Sequence, residues 1–197
     1  MASIGQAQAN ADLVAELLAL SPPREGGSIW FAGAGTGQMF DFLDSGLLRP
    51  YRTAFTDINA SFLERLTARL RGTGLAFETR VDDVERPSLA GSFDLVVAVL
   101  VLEHVDWRRA VTGMCALSAG RVFVVIQENP LDCVQRPAVG TMQVLRGIGA
   151  HDMDREALVR EFEERGYGLR RVAIREVADA KKMVGLEFLK AGHCAVP

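Results

Sequence analysis

The chain has 197 residues, a formal charge of −3 and 49% apolar residues, which suits one ordinary globular domain with a sizeable core. No apolar run approaches the roughly 20 residues that span a bilayer, and the start lacks the basic-then-apolar pattern of a secretory leader. Lys and Arg are too few for a nucleic-acid surface, and Cys115, Cys133 and Cys194 follow no disulfide or zinc pattern, so a cytoplasmic protein without metal is expected. The local arginine clusters (Arg65, Arg69 and Arg71; Arg170 and Arg171) read as a solvated helix face or strand edge.

In chain order, residues 9–20 place Leu13, Leu17 and Leu20 at helical spacing, and Ser21-Pro22-Pro23 ends that helix. Residues 28–32 are a short strand candidate broken by Gly33-Ala34-Gly35-Thr36-Gly37. Residues 38–48 are predicted as a helix with Phe40, Leu43 and Leu47 on one face, 52–56 as a strand, 59–71 as a helix and 76–81 as a strand. Leu95–Leu100, inside a strand predicted over 93–101, is continuously apolar, as expected when both faces are covered. A helix is predicted over 107–119 with Gly120 as its C-cap, then a doubly buried strand over 121–127. Residues 128–150 hold Pro130, Pro137, Gly140, Gly147 and Gly149 and no firm pattern, which marks an insertion for an acceptor site, with Met142, Val144 and Leu145 as a lid or a short core helix. Residues 152–166 are predicted as a helix capped by Asp152 or Asp154, and 169–176 and 185–190 as an antiparallel pair. The fold implied is α/β, a doubly wound sheet of about seven strands with helices on both faces and an antiparallel end, organised as one domain over 1–197.

Three glycines at alternate positions after the first strand suit a tight turn that a polar ligand can approach. The spacing is GxGxG, with Gln38 where a dinucleotide fingerprint has its third glycine, and the Lys-Ser/Thr ending of a phosphate loop is absent. Asp57, about 20 residues on, is positioned for both hydroxyls of a ribose, or to cap the next helix, which Asn59 or Ser61 would otherwise do. Asp82 and Asp83 are open between contact with a base and a solvated turn.

Four stretches together resemble the class I S-adenosylmethionine-dependent methyltransferases that act on small molecules: Phe31–Gly37 (FAGAGTG), Phe55–Asn59 (FTDIN), Val81–Glu85 (VDDVE) and Phe93–Val105 (FDLVVAVLVLEHV). They cover about the first half of the chain in the family's order. The resemblance implies a Rossmann-like sheet and S-adenosylmethionine as cofactor. Gly33, Ala34, Gly35 and Gly37 would hold its methionine part, Asp57 and Ile58 the ribose, Asp83 and the Val84 backbone the adenine, and Ala98 and Val99 the floor near the sulfonium. One departure is Phe31, which stands where many members have an acid. A small-molecule acceptor is implied, with no nucleic-acid or membrane partner. His104 and Glu128 are the candidate general bases; each has an alternative, a shielding residue for His104 and a turn residue for Glu128, and His151 reads as a surface residue. Two other classes stay open, an inactive methyltransferase-like partner protein and a nucleotide-dependent oxidoreductase.

Overall fold

The apolar runs of the sequence become the centre of the sheet. In the computed structural model, which describes residues 2–129 and 153–192, Leu95–Val99 (β4) and Arg121–Glu128 (β5) are buried along almost their whole length. Ser28–Ala32 (β1), Arg52–Asp57 (β2) and Phe77–Val81 (β3) complete a parallel set. Tyr167–Glu176 (β6) and Lys182–Lys190 (β7) close it. The seven strands lie in the order β3-β2-β1-β4-β5-β7-β6, with β7 antiparallel to both its neighbours. The chain therefore winds outward from β1 in one direction and from β4 in the other.

Helices Ala2–Leu20 (α1), Ala60–Leu70 (α2), Trp107–Leu117 (α3) and Arg155–Glu163 (α4) cover the sheet. One face carries Phe31, Phe55, Val97, Phe123 and Val125 beneath α1 and α2. The other carries Trp30, Ala54, Val96, Ala98, Val124 and Leu186 beneath α3 and α4. The alternation along each strand thus serves two separate cores, the sheet analogue of a buried layer between two apolar stripes. The indole nitrogen of the fully buried Trp30 is satisfied: Trp30 Nε1 donates to Thr56 Oγ1 at 2.9 Å.

Some boundaries differ from expectation, each for a local reason. The first helix begins at Ala2, seven residues before the predicted start, because its early turns bury small residues such as Ala7 and Ala11 that make no long-chain apolar stripe. Leu20 is exposed, and Val14 and Leu18 are buried alongside Leu13 and Leu17. Residues 38–48 do not form one helix. They make two short 3₁₀ turns, Gln38–Asp41 and Ser45–Leu47, because Asp44 turns its carboxylate onto the Gly46 N–H at 2.8 Å, a local bond that competes with helix continuation. Leu43 and Leu48 still reach the core from these turns. Gly120 does not cap α3: the helix ends at Leu117, and Ser118 Oγ accepts from the N–H groups of Gly120 and Arg121. Asp154 caps α4 by accepting from Glu156 and Ala157; Asp152 lies outside the described residues, as do His151 and the proposed lid residues Met142, Val144 and Leu145.

Candidate active site

The order of the sheet reverses between β1 and β4, and the glycine loop sits at the carboxyl end of β1, where open α/β sheets take their ligands. Gly33, Gly35 and Gly37 all adopt left-handed backbone, with φ of 63°, 57° and 72°, which L side chains rarely tolerate. A Cβ on Gly33 would meet Val101 Cγ2 at 2.2 Å, and one on Gly37 would meet Leu66 Cδ1 at 2.2 Å. Backbone shape and packing thus account for glycine at alternate positions before any ligand is considered. A Cβ on Gly35 would meet nothing within 4 Å, so that position faces open space. The loop leads into a 3₁₀ turn rather than an α-helix, and its amides are partly engaged within the protein. Ala34 N–H donates to Thr56 O at 2.8 Å, and Gly35 N–H donates to Asp57 Oδ2 at 2.9 Å.

A cavity of about 250 Å³ opens beside the loop. Its wall is Gly33–Gly37, its floor is Phe31, Val97, Val99 and Leu100, and Gln6 and Asn10 of α1 form the opposite side. Of the residues singled out in the sequence, Gly33, Ala34, Gly35, Gly37 and Val99 line this cavity together. Ala98 does not, because its side chain is fully buried in the core beneath α3; its neighbours Val97 and Leu100 take that place. Leu100 carries a left-handed backbone, φ 54°, an uncommon and strained state for a non-glycine residue that clusters at functional sites.

Phe31 is buried in the aromatic group beneath the loop, stacked on Phe55 with centroids 5.1 Å apart and edge-on to Phe40 at 5.4 Å. The cavity floor at this point is therefore apolar. Asp57, at the end of β2, spends one oxygen on the Gly35 N–H and the other on the Asn59 N–H, both at 2.9 Å. Asn59 itself caps α2 through Ser61. Ile58 beside it is 73% exposed, an apolar side chain held out at the rim. Asp83 accepts from the Glu85 N–H at 2.9 Å, and Val84 is packed in the core, which leaves its backbone rather than its side chain for contact. Neither lies on the cavity described above.

His104 is exposed in the turn Leu102–His104 after β4. Glu128, at the end of β5, is ion-paired with Arg155 at 3.5 Å. Both sit at the carboxyl rim of the sheet but not on the cavity wall. Sequence reasoning missed their neighbour Glu103, which is buried, with Oε1 accepting from the Gln127 N–H at 2.9 Å and Oε2 without a partner among the described residues. Burial pushes its carboxyl above the usual range, opposed by the Gln127 hydrogen bond. Gln127 in turn accepts from Gln6 Nε2 at 2.8 Å, so α1 is tied to the end of β5. The sequence signal for the α1 contribution was Gln6 and Asn10, polar residues four apart on one face of a helix rich in Ala and Leu.

Residues 32–118 match a family model described as a methyltransferase domain. That segment is similar to a methyltransferase domain. The match runs from the last residue of β1 to the end of α3 and takes in the glycine loop, Asp57, Asp83 and the strand β4. No curated protein matches the sequence. Among solved structures, the chain is similar to the magnesium protoporphyrin IX methyltransferase of Synechocystis PCC 6803 with bound S-adenosylhomocysteine, at 17% identity and TM-score 0.72, covering 96% of this chain and 85% of that one. It is also similar to the N-methyltransferase NodS of Bradyrhizobium japonicum in complex with S-adenosylhomocysteine, at 16% identity and TM-score 0.67, with 92% and 85% covered. A third, an S-adenosylmethionine-dependent methyltransferase of Clostridium acetobutylicum, has 11% identity and TM-score 0.66, with 98% and 93% covered. At these identities the likeness is one of fold: a Rossmann-like, mostly parallel sheet whose β7 runs antiparallel to its neighbours. Among the described residues no helix is long and apolar enough to cross a membrane.

Proposed function

We propose that this chain moves a methyl group from S-adenosylmethionine to a small-molecule acceptor in the cytoplasm. The observation that carries the reading is the cavity at the β1–β4 reversal, walled by the glycine loop of the matched segment. Its residues fit the methionine end of that cofactor: Gly35 leaves open space beside the loop, and α1 presents a buried amide oxygen that has no partner among the described residues. The cofactor, when bound, supplies an electrophilic methyl group on a sulfonium, so the protein's contribution is position and electrostatics.

In this reading Gly33, Ala34, Gly35 and Gly37 hold the methionine part against the floor made by Val97, Val99 and Leu100. Asp57 has lone pairs beyond the two it gives to Gly35 and Asn59, since a carboxylate accepts about four hydrogen bonds; these take the ribose hydroxyls, and Ile58 covers the sugar. Asp83 and the Val84 backbone meet the adenine. For an acceptor that must lose a proton, His104 is better placed than Glu128, whose ion pair with Arg155 must first open. A net charge of −3 supports a small molecule over nucleic acid, and the Synechocystis neighbour is a magnesium protoporphyrin IX methyltransferase.

The test is calorimetric titration with S-adenosylhomocysteine and, in parallel, NADH, followed by a search for S-adenosylmethionine turnover in a broad metabolite pool. Saturable binding of the former, none of the latter, and formation of S-adenosylhomocysteine are expected. Binding of NADH alone would overturn the reading. Cofactor binding without turnover on any acceptor would favour an inactive, partner-binding protein, a reading to which Phe31 in the cavity floor gives weight.

A further inference from the structure

Resting on the cofactor reading above, we propose that Asn10 of α1 accepts a hydrogen bond from the α-ammonium group of the bound cofactor, through its side-chain carbonyl oxygen. Asn10 thereby supplies from the opposite wall the polar anchor that Phe31 withholds from the floor.

Asn10 is 95% buried, at 5% exposure, and lines the cavity across from the glycine loop. Its Oδ1 has no hydrogen-bond partner among the described residues. A buried acceptor left unmade costs about 1–3 kcal/mol, and native structures keep few of them without a reason. Several nearby polar groups are engaged elsewhere. The neighbouring amide of Gln6 is committed to Gln127 Oε1 at 2.8 Å, Arg69 donates to Thr36 O on the far side of the loop and is ion-paired with Asp41, and the aromatic group of Phe31, Phe40 and Phe55 offers no donor. No Asp, Glu, Lys or Arg side chain lines the cavity. An ammonium group entering it meets, beside the polar side chains of Thr36 and Gln38, the buried and unpartnered carbonyl oxygen of Asn10, in a place where low polarity strengthens the bond.

The position of Asn10 is set independently of any ligand. Leu13, Val14 and Leu17, three, four and seven residues on, are fully buried against the sheet, and Gln6, four residues back, is held by β5. The amide is thus carried on a helix clamped at both sides of it. That is the pre-organisation a binding group needs, since it loses little freedom when the ligand arrives.

The experiment measures binding of three probes by calorimetry: S-adenosylhomocysteine, its analogue without the α-amino group, and its analogue without the carboxylate. These are titrated into the full chain and into Asn10→Leu and Asn10→Asp, with ligand-free melting curves for each. Asn10→Leu is expected to lose about tenfold in affinity for S-adenosylhomocysteine, the 1.4 kcal/mol of one hydrogen bond to a charged group, and to bind the deaminated analogue within about twofold of the parent chain. Its ligand-free melting temperature is expected to hold or rise, because an unmade buried acceptor has been removed. Asn10→Asp is expected to restore or raise affinity for S-adenosylhomocysteine. Equal losses for both analogues would overturn the proposal in favour of a structural role. A loss tied to the carboxylate instead would overturn it in favour of the amide N–H as donor. If the parent chain binds none of the three probes, the cofactor reading itself has failed, a result distinct from either.

Discussion

Asp57 holds the glycine loop and α2 together before it holds anything else. Its two oxygens take the N–H groups of Gly35 and Asn59, and a sequence reading that treats it as a ribose ligand alone expects substitution to spare stability. The structure gives a different expectation. Asp57→Ala leaves two backbone donors without their acceptor, at a net of roughly 0.5–1.5 kcal/mol each, or about 2–12 °C in melting temperature together for a chain of this size. Asp57→Ala is therefore expected to lose nucleoside affinity by calorimetry and to melt a few degrees lower without ligand; an unchanged melting curve would show that these bonds contribute nothing. Asp57→Asn keeps an oxygen for one of the two N–H groups and turns its NH2 group towards the other, so it is expected to recover only part of the stability.

Glu103 is the second residue whose environment makes a measurable claim. Burial raises its carboxyl above the ordinary carboxylate range, so in the folded chain it takes up a proton more readily than in the unfolded one. By linkage, its contribution to stability is fully present below the unfolded value near pH 4.3 and is lost as pH rises through the folded value. Glu103→Gln removes that titration while keeping an oxygen for the Gln127 N–H. The stability of the native chain relative to Glu103→Gln is expected to fall as pH is raised from about 4 towards neutrality, measured by denaturant unfolding at each pH. A difference flat across that range would mean the carboxyl titrates as it does in the open chain.

At the scale of elements, the last three strands and α1 are joined by charges that the sequence kept far apart. Glu187 of β7, 1% exposed, faces Arg121 of β5 at 2.9 Å and Arg171 of β6 at 3.4 Å. Arg171 continues to Glu16 of α1 at 3.6 Å, and Arg175 pairs with the same carboxylate. Arginine here cannot shed its charge, so removing Glu187 leaves two guanidinium groups facing each other with little water. Glu187→Ala is expected to cost about 3–5 kcal/mol, read as a fall of roughly 6–20 °C in melting temperature. Replacing Arg121, Arg171 and Glu187 together by leucine or methionine is expected to restore most of it, since buried ion groups exchanged for apolar ones of similar size are often neutral. A mild effect of Glu187→Ala would show the cluster to be hydrated.

These elements also mark what the sequence could and could not tell. The strands β1, β4 and β5 announce themselves by continuous apolar runs, because burial on both faces demands them. The glycine spacing announces the loop, since three left-handed residues in five positions leave little choice of side chain. Arg170 and Arg171, by contrast, read as a solvated edge, and Arg171 is in fact part of the buried cluster; charge alone carries no record of its partners when they lie on β7 and α1. The segment 38–48 shows helical apolar spacing, yet the turn chemistry of Asp44 and Gly46 overrides it. Asn10 is only weakly marked for a related reason: its spacing from Gln6 puts two polar residues on one helix face, but nothing in the sequence places that face against a cavity.

At the scale of the whole molecule, the sheet separates the site from half of the protein. The cavity, the glycine loop and α1 lie on the Phe31–Phe55 face, whereas α3 and α4 pack on the Trp30–Val124 face. A ligand in the cavity touches one core and reaches the other only through β1 and β4. The coupling of ligand to fold should therefore be uneven. Saturation at about 100 times Kd adds some 2.7 kcal/mol to global stability, which slows exchange of the amides that open only on complete unfolding, in both cores alike. Amides that exchange by local opening respond only where that opening breaks the site. With S-adenosylhomocysteine bound, fast-exchanging amides in residues 5–20 and 33–41 are expected to gain protection, while those at the ends of α3 and α4 stay within error of the ligand-free protein. Hydrogen exchange read by mass spectrometry resolves these peptides directly. Uniform protection across both faces would mean that the sheet transmits binding as one rigid body, and that α1 is not a separable wall of the site.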